Sequence, residues 1–420
     1  MKEAPTTYLG VDEKRWGKNT GWIKVDDTIC VTTNDGNERC PHYNTQSDAE
    51  SSLHSSPHST PPIHLLIASY RDRLCPRTLH NAFSKAKYPN RLFIRIIEQR
   101  QPNSDLLDDQ SCWDRYCEEY NKSCSQYSQN IYIHNVDSRS SKGPTDARSK
   151  LSSLILYDYL HPTSPILSPV SPTDYCMQTD SHMDFSPGFD TSLVEMHGRT
   201  KNDYAVLSTY VSPIENTDRN EVEVPLLCMV AFTATMRNWG TKACRNLRTP
   251  KLTNALWGAG LSFHRCHGEL NVPYDPYLPH VFDGEEVSRG IRFFTFGYDT
   301  YAPDLVLVTH DYNGHQGNPV VHTWGGNKGE NNNMLRGGEG KEEEGKGFLD
   351  EVNRVWDMVD IKGLQRVNLL MGINNSSPTV ASKIRASRYG LGTKRTLTQA
   401  LDFMGVDVVA THLSVKSEWK

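Results

Sequence analysis

The sequence predicts an α/β protein with a mostly parallel sheet flanked by helices, because strand-like and helix-like segments alternate along its middle. The apolar run "IHLLIAS" is followed by the helix-like "CPRTLHNAFSKA" and by a second apolar run, "RLFIRIIEQ". A polar, aperiodic segment precedes them and helix-like segments follow. Ligands of such sheets bind beyond the carboxyl ends of the strands, so polar residues there are the first candidates for function.

The later elements follow in the same alternation. "NIYIHNV" predicts a strand, "PTDARSKLSSLILYDYL" an amphipathic helix and "DYCMQT" another strand. "YAVLSTYV" and the small-residue run "WGAGLSF" predict strands, "EEVSRGIRFFTFG" a helix, and "APDLVLVTH" a strand that ends in His310. "FLDEVNRVWDMV" predicts a helix near the C-terminus.

Composition sets the expected boundaries. Residues 1–60 are expected to form a flexible polar leader, and residues 61–324 the α/β domain. Within the domain, the Pro- and Ser-rich stretch 162–173 predicts a mobile loop. The low-complexity, charged stretch 325–347 cannot bury enough apolar surface to fold, and residues 348–420 are expected to be a helical segment.

Charge and cysteine content narrow the class of protein. A net charge of −5 without a basic run gives no reason to expect a nucleic-acid partner. No stretch approaches the ~20 apolar residues that span a bilayer, and the start lacks a signal sequence, so we expect no membrane partner and a cytoplasmic protein, in the Golgi only if an N-terminal anchor is missing. The ten cysteines contain no CxxC and are expected to be free thiols; in a secreted protein, those around Cys117 would pair instead.

The stretch "QTDSHMDF" places Asp180 and His182 two residues apart at a predicted strand end, so on extended backbone they share one face. Such a pair is either a surface ion pair or part of a metal site. His310, at the end of another predicted strand and therefore expected at the same edge of the sheet, offers a third ligand. One carboxylate and two imidazoles suit Mn²⁺ and its neighbours, and a cation with open positions suits a departing diphosphate.

Three further segments are candidates for ligand contact. Glu285 and Glu286 begin a predicted helix, where the helix dipole alone favours carboxylates, but they follow "WGAGLSF" and can accept hydrogen bonds from sugar hydroxyls. "ASYRD" (68–72) is the turn after the first strand of the sheet, a natural nucleotide seat. Arg148 begins a helix and can hold a phosphate or a base carbonyl.

Several motifs occur in the order expected for one family: "LLIASYRDRLCPRTL", "GPTDARSKL", "YCMQTDSHMDFSPGFD", "YAVLSTYV", "WGAGLSF", "VPYDPYLPHVFDGEEVSRGIRFFTFGYDTYAP" and "RYGLGTKRTL". The chain resembles the cytosolic UDP-GlcNAc:polypeptide α-N-acetylglucosaminyltransferases, which modify hydroxyproline on the adaptor subunit of SCF-type ubiquitin ligases. These enzymes are distantly similar to mucin-type polypeptide GalNAc-transferases. The resemblance covers about residues 60–315 and 385–407.

The resemblance implies a GT-A fold with a D-x-H motif, a divalent cation such as Mn²⁺, UDP-GlcNAc as donor and a protein acceptor. It makes Asp180, His182 and His310 metal ligands, with Asp180, Glu285 and Glu286 catalytic. The expected nucleotide-sugar contacts are Ser69, Tyr70, Arg71, Asp72, Arg148, Ser181, Trp257 and Gly260. The family retains the anomeric configuration: the acceptor hydroxyl attacks on the face from which UDP departs, and a phosphate oxygen takes the proton.

Other functions stay open on the sequence. One is transfer of another sugar or to another acceptor. A second is a pseudo-enzyme that binds a sugar or a protein without turnover, which would have no need of a metal-diphosphate set. A third is a metal-dependent hydrolase, which usually has a denser ligand cluster.

Overall fold

The computed structural model describes residues 61–217, 223–232, 234–244, 247–313, 363–373 and 377–406, preceded by a short antiparallel pair of strands, β1 (Val31–Thr32) and β2 (Glu38–Arg39). The rest of the leader, the insert 325–347 and the helix predicted from "FLDEVNRVWDMV" lie outside the described residues.

The elements of the first half are β3 (Ile63–Tyr70), α1 (Cys75–Lys85), β4 (Leu92–Arg100), α2 (Cys112–Glu119), α3 (Asn121–Tyr127), β5 (Ile131–Asp137), α4 (Pro144–Leu160), β6 (Tyr175–Asp180), β7 (Met183–Phe185) and α5 (Phe189–Arg199). Those that follow are β8 (Ala205–Ser208), β9 (Ser212–Pro213), β10 (Val224–Phe232), β11 (Met236–Cys244), β12 (Lys251–Leu252), β13 (Leu261–Arg265), α6 (His267–Asn271), α7 (Glu285–Thr295), β14 (Asp299–Ala302), β15 (Val308–His310), α8 (Gly363–Met371), α9 (Pro378–Ala386) and α10 (Leu397–Met404). Short 3₁₀ turns lie at 89–91, 107–109, 128–130, 138–140 and 214–216.

An eight-stranded sheet in the order β12-β14-β8-β13-β6-β3-β4-β5 forms the centre of the molecule. β3 pairs in parallel with β4 and β6, β4 with β5, and β14 with β8, while β13 runs antiparallel to β6 and β8. β3 and β4 are buried along almost their whole length because both faces of the sheet are covered. This is why their sequences are continuous apolar runs and do not alternate with polar residues. The predicted mixed α/β class is confirmed.

A smaller sheet of β7, β15 and β9 stands beside the carboxyl end of β6. The prediction that His310 lies at the edge of the main sheet is therefore wrong. β15 instead pairs with β7, and His310 lies opposite Met183. Because β7 follows β6 after only two residues, this pairing brings His310 to the same place by another route.

The run "WGAGLSF" is only partly a strand, since β13 begins at Leu261. The residues before it form a buried turn in which Ala255 has a positive φ of 63°. A Cβ on Gly258 would lie 2.7 Å from the carbonyl oxygen of Thr209, so only glycine allows this backbone to approach the end of β8.

The expectation of free thiols is wrong for six cysteines. Disulfides join Cys75 to Cys112, Cys117 to Cys124 and Cys176 to Cys266. Sequence spacing did not indicate the first and third pairs, because the fold brings together residues 37 and 90 positions apart. Among the described residues, Cys244 is a free thiol.

The motif "RYGLGTKRTL" packs against the helix that carries the two glutamates. Arg292 of α7 donates to the carbonyl oxygen of Gly390, and the amide of Gly392 donates to the hydroxyl of Thr295. The buried Arg395 pairs with Asp299 at 2.8 Å. None of the helices in the described part of the chain combines the length and apolar character of a transmembrane span.

Candidate active site

Three predicted metal ligands converge beside the carboxyl end of β6. Asp180, His182 and His310 each offer one donor atom, and these atoms all lie within 4.8 Å of one another. Asp180 ends β6, His310 ends β15, and His182 lies in the bend between β6 and β7. The side chains are 27%, 24% and 14% exposed, so they stand between the core and solvent.

The extended-strand argument for Asp180 and His182 does not describe how they meet, because β6 stops at Asp180. The bend at residues 181–182 is held from α1: the hydroxyl of Thr78 donates to the carbonyl oxygens of Ser181 and Met183 and accepts from the amide of Met183. Backbone pairing with Asp311 fixes the other side, since its amide donates to the carbonyl oxygen of His182 at 3.0 Å.

The two imidazoles face each other with their Nε2 atoms 2.8 Å apart. Burial and the neighbouring charge of His182 lower the pKa of His310 to about 4. Burial opposes the charge on His182 as well, but the hydrogen bond that its Nδ1 donates to Asp72 and the nearby carboxylates of Asp72 and Asp180 raise its pKa. The two shifts run in opposite directions, so His182 is the more basic imidazole of the pair.

These residues fit a divalent cation. The two Nε2 atoms lie 2.8 Å apart and the carboxylate of Asp180 lies 3.7 Å from His310 Nε2, so three donor atoms surround one position. An O,N,N donor set with further positions open to water or phosphate suits Mn²⁺, Zn²⁺ or Fe²⁺ better than Ca²⁺.

Arg148 connects this cluster to the glutamates of α7. Its guanidinium, on α4, donates to Glu285 at 2.5 Å and to Asp180 at 3.0 Å. Although burial opposes its charge, the charges of Glu285, Tyr274 and Asp180 raise the pKa of Arg148 above the ordinary value. Glu285 is buried and also accepts from the hydroxyl of Tyr274 at 2.9 Å, so an ion pair holds it in place.

Glu286 has no arginine partner of this kind among the residues that the structure describes. Its carboxyl group accepts from the hydroxyl of Tyr210 at 2.8 Å, the amide of Asn238 at 3.1 Å and the backbone N–H of Ala259 at 2.9 Å. Burial nevertheless raises the pKa of Glu286 to about 7. The two adjacent glutamates thus differ in chemistry, one locked in an ion pair and the other able to hold or release a proton near neutral pH.

Trp257 and Gly260 line the turn between these groups. The indole of Trp257 is buried and donates to Ser262 Oγ at 2.9 Å, while its carbonyl oxygen accepts from Asn238. A Cβ on Gly260 would lie 2.7 Å from Val211 and 3.5 Å from the carboxylate of Asp180. Gly260 therefore allows the backbone to pass close to Val211 beside Asp180, whereas the buried Trp257 ring is part of the hydrophobic packing.

The segment "ASYRD" ends at the same edge. Ser69 is buried in β3 and Tyr70, half-buried, ends that strand. Arg71 binds the carboxylate of Asp109 through two hydrogen bonds of 2.8 and 2.9 Å. Asp72 accepts from Ser181 Oγ and lies 2.7 Å from His182 Nδ1.

Sequence reasoning missed three side chains here: Tyr210 and Asn238, which bind Glu286, and Tyr312, whose ring lies 4.0 Å from that of His310. The hydroxyl of Tyr312 donates to the carbonyl oxygen of Val211 at 2.9 Å. Two weak signals in the sequence could have indicated these tyrosines: Tyr210 lies in the predicted strand "YAVLSTYV", and Tyr312 lies two residues after the predicted metal ligand His310. Nothing local pointed to Asn238, because a separate hairpin, β10–β11, carries it to the site.

Comparison with protein families assigns the chain. Residues 62–113 and 102–410 match the family described as Glycosyltransferase (GlcNAc). The chain belongs to this family. For this member of the glycosyltransferases, the matched part includes every residue of the site described above, and comparison with curated proteins found no match.

Solved transferases are similar to this glycosyltransferase at low identity. A structure of GalNAc-T7 with UDP, GalNAc and Mn²⁺ is 12% identical with a TM-score of 0.45, over 82% of this chain and 56% of its own. The mannosyltransferase PcManGT from Pyrobaculum calidifontis with GDP-Man and Mn²⁺ is 11% identical with a TM-score of 0.35, over 63% and 62%. S. aureus TarS is 11% identical with a TM-score of 0.37, over 60% and 36%. The chain thus spans little more than half the length of the GalNAc-T7 chain, and the family match carries the assignment.

Proposed function

We propose that this chain is a metal-dependent, retaining glycosyltransferase that moves N-acetylglucosamine from UDP-GlcNAc to a protein hydroxyl, with hydroxyproline as the expected acceptor. The observation that carries the proposal is the convergence of Asp180, His182 and His310 from two sheets at the carboxyl end of β6. A glycosyltransferase of this family needs charge stabilisation where UDP leaves, and a cation held by these three ligands would supply it. Mn²⁺ is the proposed cofactor because it suits the mixed donor set.

The residues around the cation each have a proposed task. Arg148 forms ion pairs with both Asp180 and Glu285, so it fixes the distance between the proposed metal ligand and the proposed sugar-binding glutamates. Glu286, whose carboxyl group accepts from the backbone N–H of Ala259 next to Gly260, is proposed to accept a hydrogen bond from a sugar or acceptor hydroxyl. Ser69, Tyr70 and Ser181 stand where the nucleotide is proposed to bind, while Trp257 supports the turn from below.

The proposed reaction breaks the bond between the sugar C1 and the diphosphate oxygen and forms a bond from C1 to the acceptor oxygen on the same face. The acceptor proton passes to the departing phosphate oxygen, so no side chain is needed as base. The work of the protein is then positional and electrostatic.

The three disulfides bear on the acceptor. Disulfides persist in oxidising compartments and are rare in the cytosol. We therefore favour a hydroxyproline-bearing polypeptide of an oxidising compartment over the cytosolic SCF adaptor, and that compartment over the cytoplasm. Mass spectrometry of the natural protein, alkylated before reduction, should find the six cysteines blocked from alkylation. Six alkylated thiols would restore the cytoplasmic interpretation.

The test of the activity is UDP release from a panel of UDP-sugars, with and without Mn²⁺. We expect UDP-GlcNAc to be the preferred donor and chelation to remove the release. Matched peptides that contain hydroxyproline, proline or serine at one position identify the acceptor, and NMR of the product should show an α-linkage. Release from another UDP-sugar would change the donor, and a folded, Mn²⁺-binding protein that releases UDP from none would favour the pseudo-enzyme.

A further inference from the structure

We propose that Asp72 is a positioning residue for the metal ligand His182, and that the turn "YRD" builds the metal site rather than contacting the nucleotide. This inference rests on the metal site of the proposed function and changes the task expected for Arg71 and Asp72.

Asp72 is a buried carboxylate that contacts the proposed metal ligand His182 on the side of the ring away from the metal site. Its side chain is 3% exposed, and one oxygen lies 2.7 Å from His182 Nδ1. The same oxygen accepts from Ser181 Oγ, and the other accepts from the backbone N–H of Leu74 at 2.8 Å. Both oxygens therefore bind groups of the chain itself.

Contacts of the preceding residue, Arg71, fix the backbone conformation that places Asp72 beside His182. Arg71 has a positive φ of 47°, which is unfavourable for a residue with a side chain, so neighbouring contacts must hold it. Two hydrogen bonds from its guanidinium to Asp109 do so, together with its amide, which donates to the carbonyl oxygen of Gln99 at 2.9 Å. The guanidinium expected to meet the nucleotide is thus tied to a buried carboxylate.

The contact between Asp72 and His182 Nδ1 decides which ring nitrogen of His182 can bind a metal. A carboxylate can only accept, so it keeps a proton on Nδ1 and leaves the lone pair of Nε2 for a metal. Nε2 is the atom that faces His310. Without Asp72 the ring can turn or carry its proton on Nε2, and the ligand set loses a member.

The test is the affinity for Mn²⁺ alone, measured by the electron paramagnetic resonance signal of free Mn²⁺, in Asp72→Asn and the unsubstituted protein. Asparagine keeps an oxygen for the Leu74 N–H but offers an N–H to His182. We expect the Mn²⁺ dissociation constant to rise about 10- to 100-fold, with little change in Tm. The control is Asp184→Asn, which removes a carboxylate two residues after His182 that pairs with Lys85 instead; its Mn²⁺ affinity should not change.

No sugar donor enters this measurement, so a chain that binds Mn²⁺ through Asp72 but transfers no sugar keeps this inference and loses the proposed function. Normal Mn²⁺ affinity in Asp72→Asn, with weaker binding of metal-free UDP, would return Asp72 to the nucleotide site. If Asp72→Asn does not fold, ¹⁵N NMR of histidine-labelled, Zn²⁺-loaded protein decides. The His182 signal, identified from the His182→Ala spectrum, should show a protonated Nδ1, and a bare Nδ1 overturns the inference.

Discussion

The metal edge (Asp72, Asp180, His182 and His310) and the glutamate edge (Glu285 and Glu286) face each other across Arg148, but they control charge in opposite ways. At the metal edge, carboxylates surround two imidazoles and favour a positive charge between them. At the glutamate edge, Glu285 is paired with Arg148, while the hydrogen-bond donors to Glu286 in the described part of the chain, Tyr210, Asn238 and the backbone of Ala259, are neutral. The comparison teaches that two adjacent carboxyl groups can differ in charge, because Glu285 is paired with Arg148 whereas burial raises the pKa of Glu286 to about 7.

The largest expected effect comes from removing a metal ligand. His182→Ala should lower Mn²⁺-dependent UDP release about 1,000-fold, since a bound cation supplies several kcal/mol of charge stabilisation. The fold should survive, because this side chain lies at a strand end near solvent. UDP release and Tm check this, with the exposed His134→Ala as control. Activity equal to the parent at the same Mn²⁺ concentration would remove His182 from the site.

The link between the two edges is next. Arg148→Met should lower the free energy of unfolding by about 3–5 kcal/mol, because it leaves buried Glu285 without its countercharge. Arg139→Met, which breaks the exposed pair with Asp137, should change the free energy of unfolding much less, because solvent screens that pair. Urea denaturation of both variants makes the comparison. Equal, small losses would show that Arg148 does not hold the two edges together.

A substitution at the glutamate edge should have a smaller effect and should change sugar transfer without changing metal binding. Glu286→Gln should lower sugar transfer about 10- to 100-fold through a weakened hydrogen bond to the substrate, while Mn²⁺ affinity stays unchanged. The exposed Glu118→Gln is the control. Steady-state kinetics and Mn²⁺ binding measure the two properties, and a parallel loss of both would mean that the edges are not independent.

The smallest effect is on stability against pH. The pKa of Glu286 is raised to about 7 in the folded chain, so between pH 4.5 and 7 the folded state binds more protons than the unfolded state. Stability from this group is therefore greatest at low pH and falls, by at most about 3 kcal/mol, as pH rises through 7. The difference in unfolding free energy between the parent and Glu286→Gln, followed from pH 5 to 8, isolates it. A difference that does not vary with pH would contradict the raised pKa.

The sequence was most informative where function depends on short motifs beside regular elements. Asp180, His182 and His310 could be selected because their residue types suit a metal and each follows an apolar run. The glutamates were visible because they begin a predicted helix that follows the small-residue run "WGAGLSF" in the sequence. The contacts that the sequence did not indicate join residues far apart in the chain. Asn238 reaches Glu286 from a distant hairpin, and Asp72 binds a histidine 110 residues away.

By itself, the sequence determined the alternation of strands and helices, the class of fold and the chemistry of the ligands, because burial periodicity and donor type are properties of local residues. Only the tertiary structure decided that His310 arrives on a second sheet, that six cysteines pair, and that neighbouring glutamates have different partners. Those outcomes depend on distances between residues far apart in the chain and on how far each charge is removed from water, and neither quantity is encoded in any short stretch.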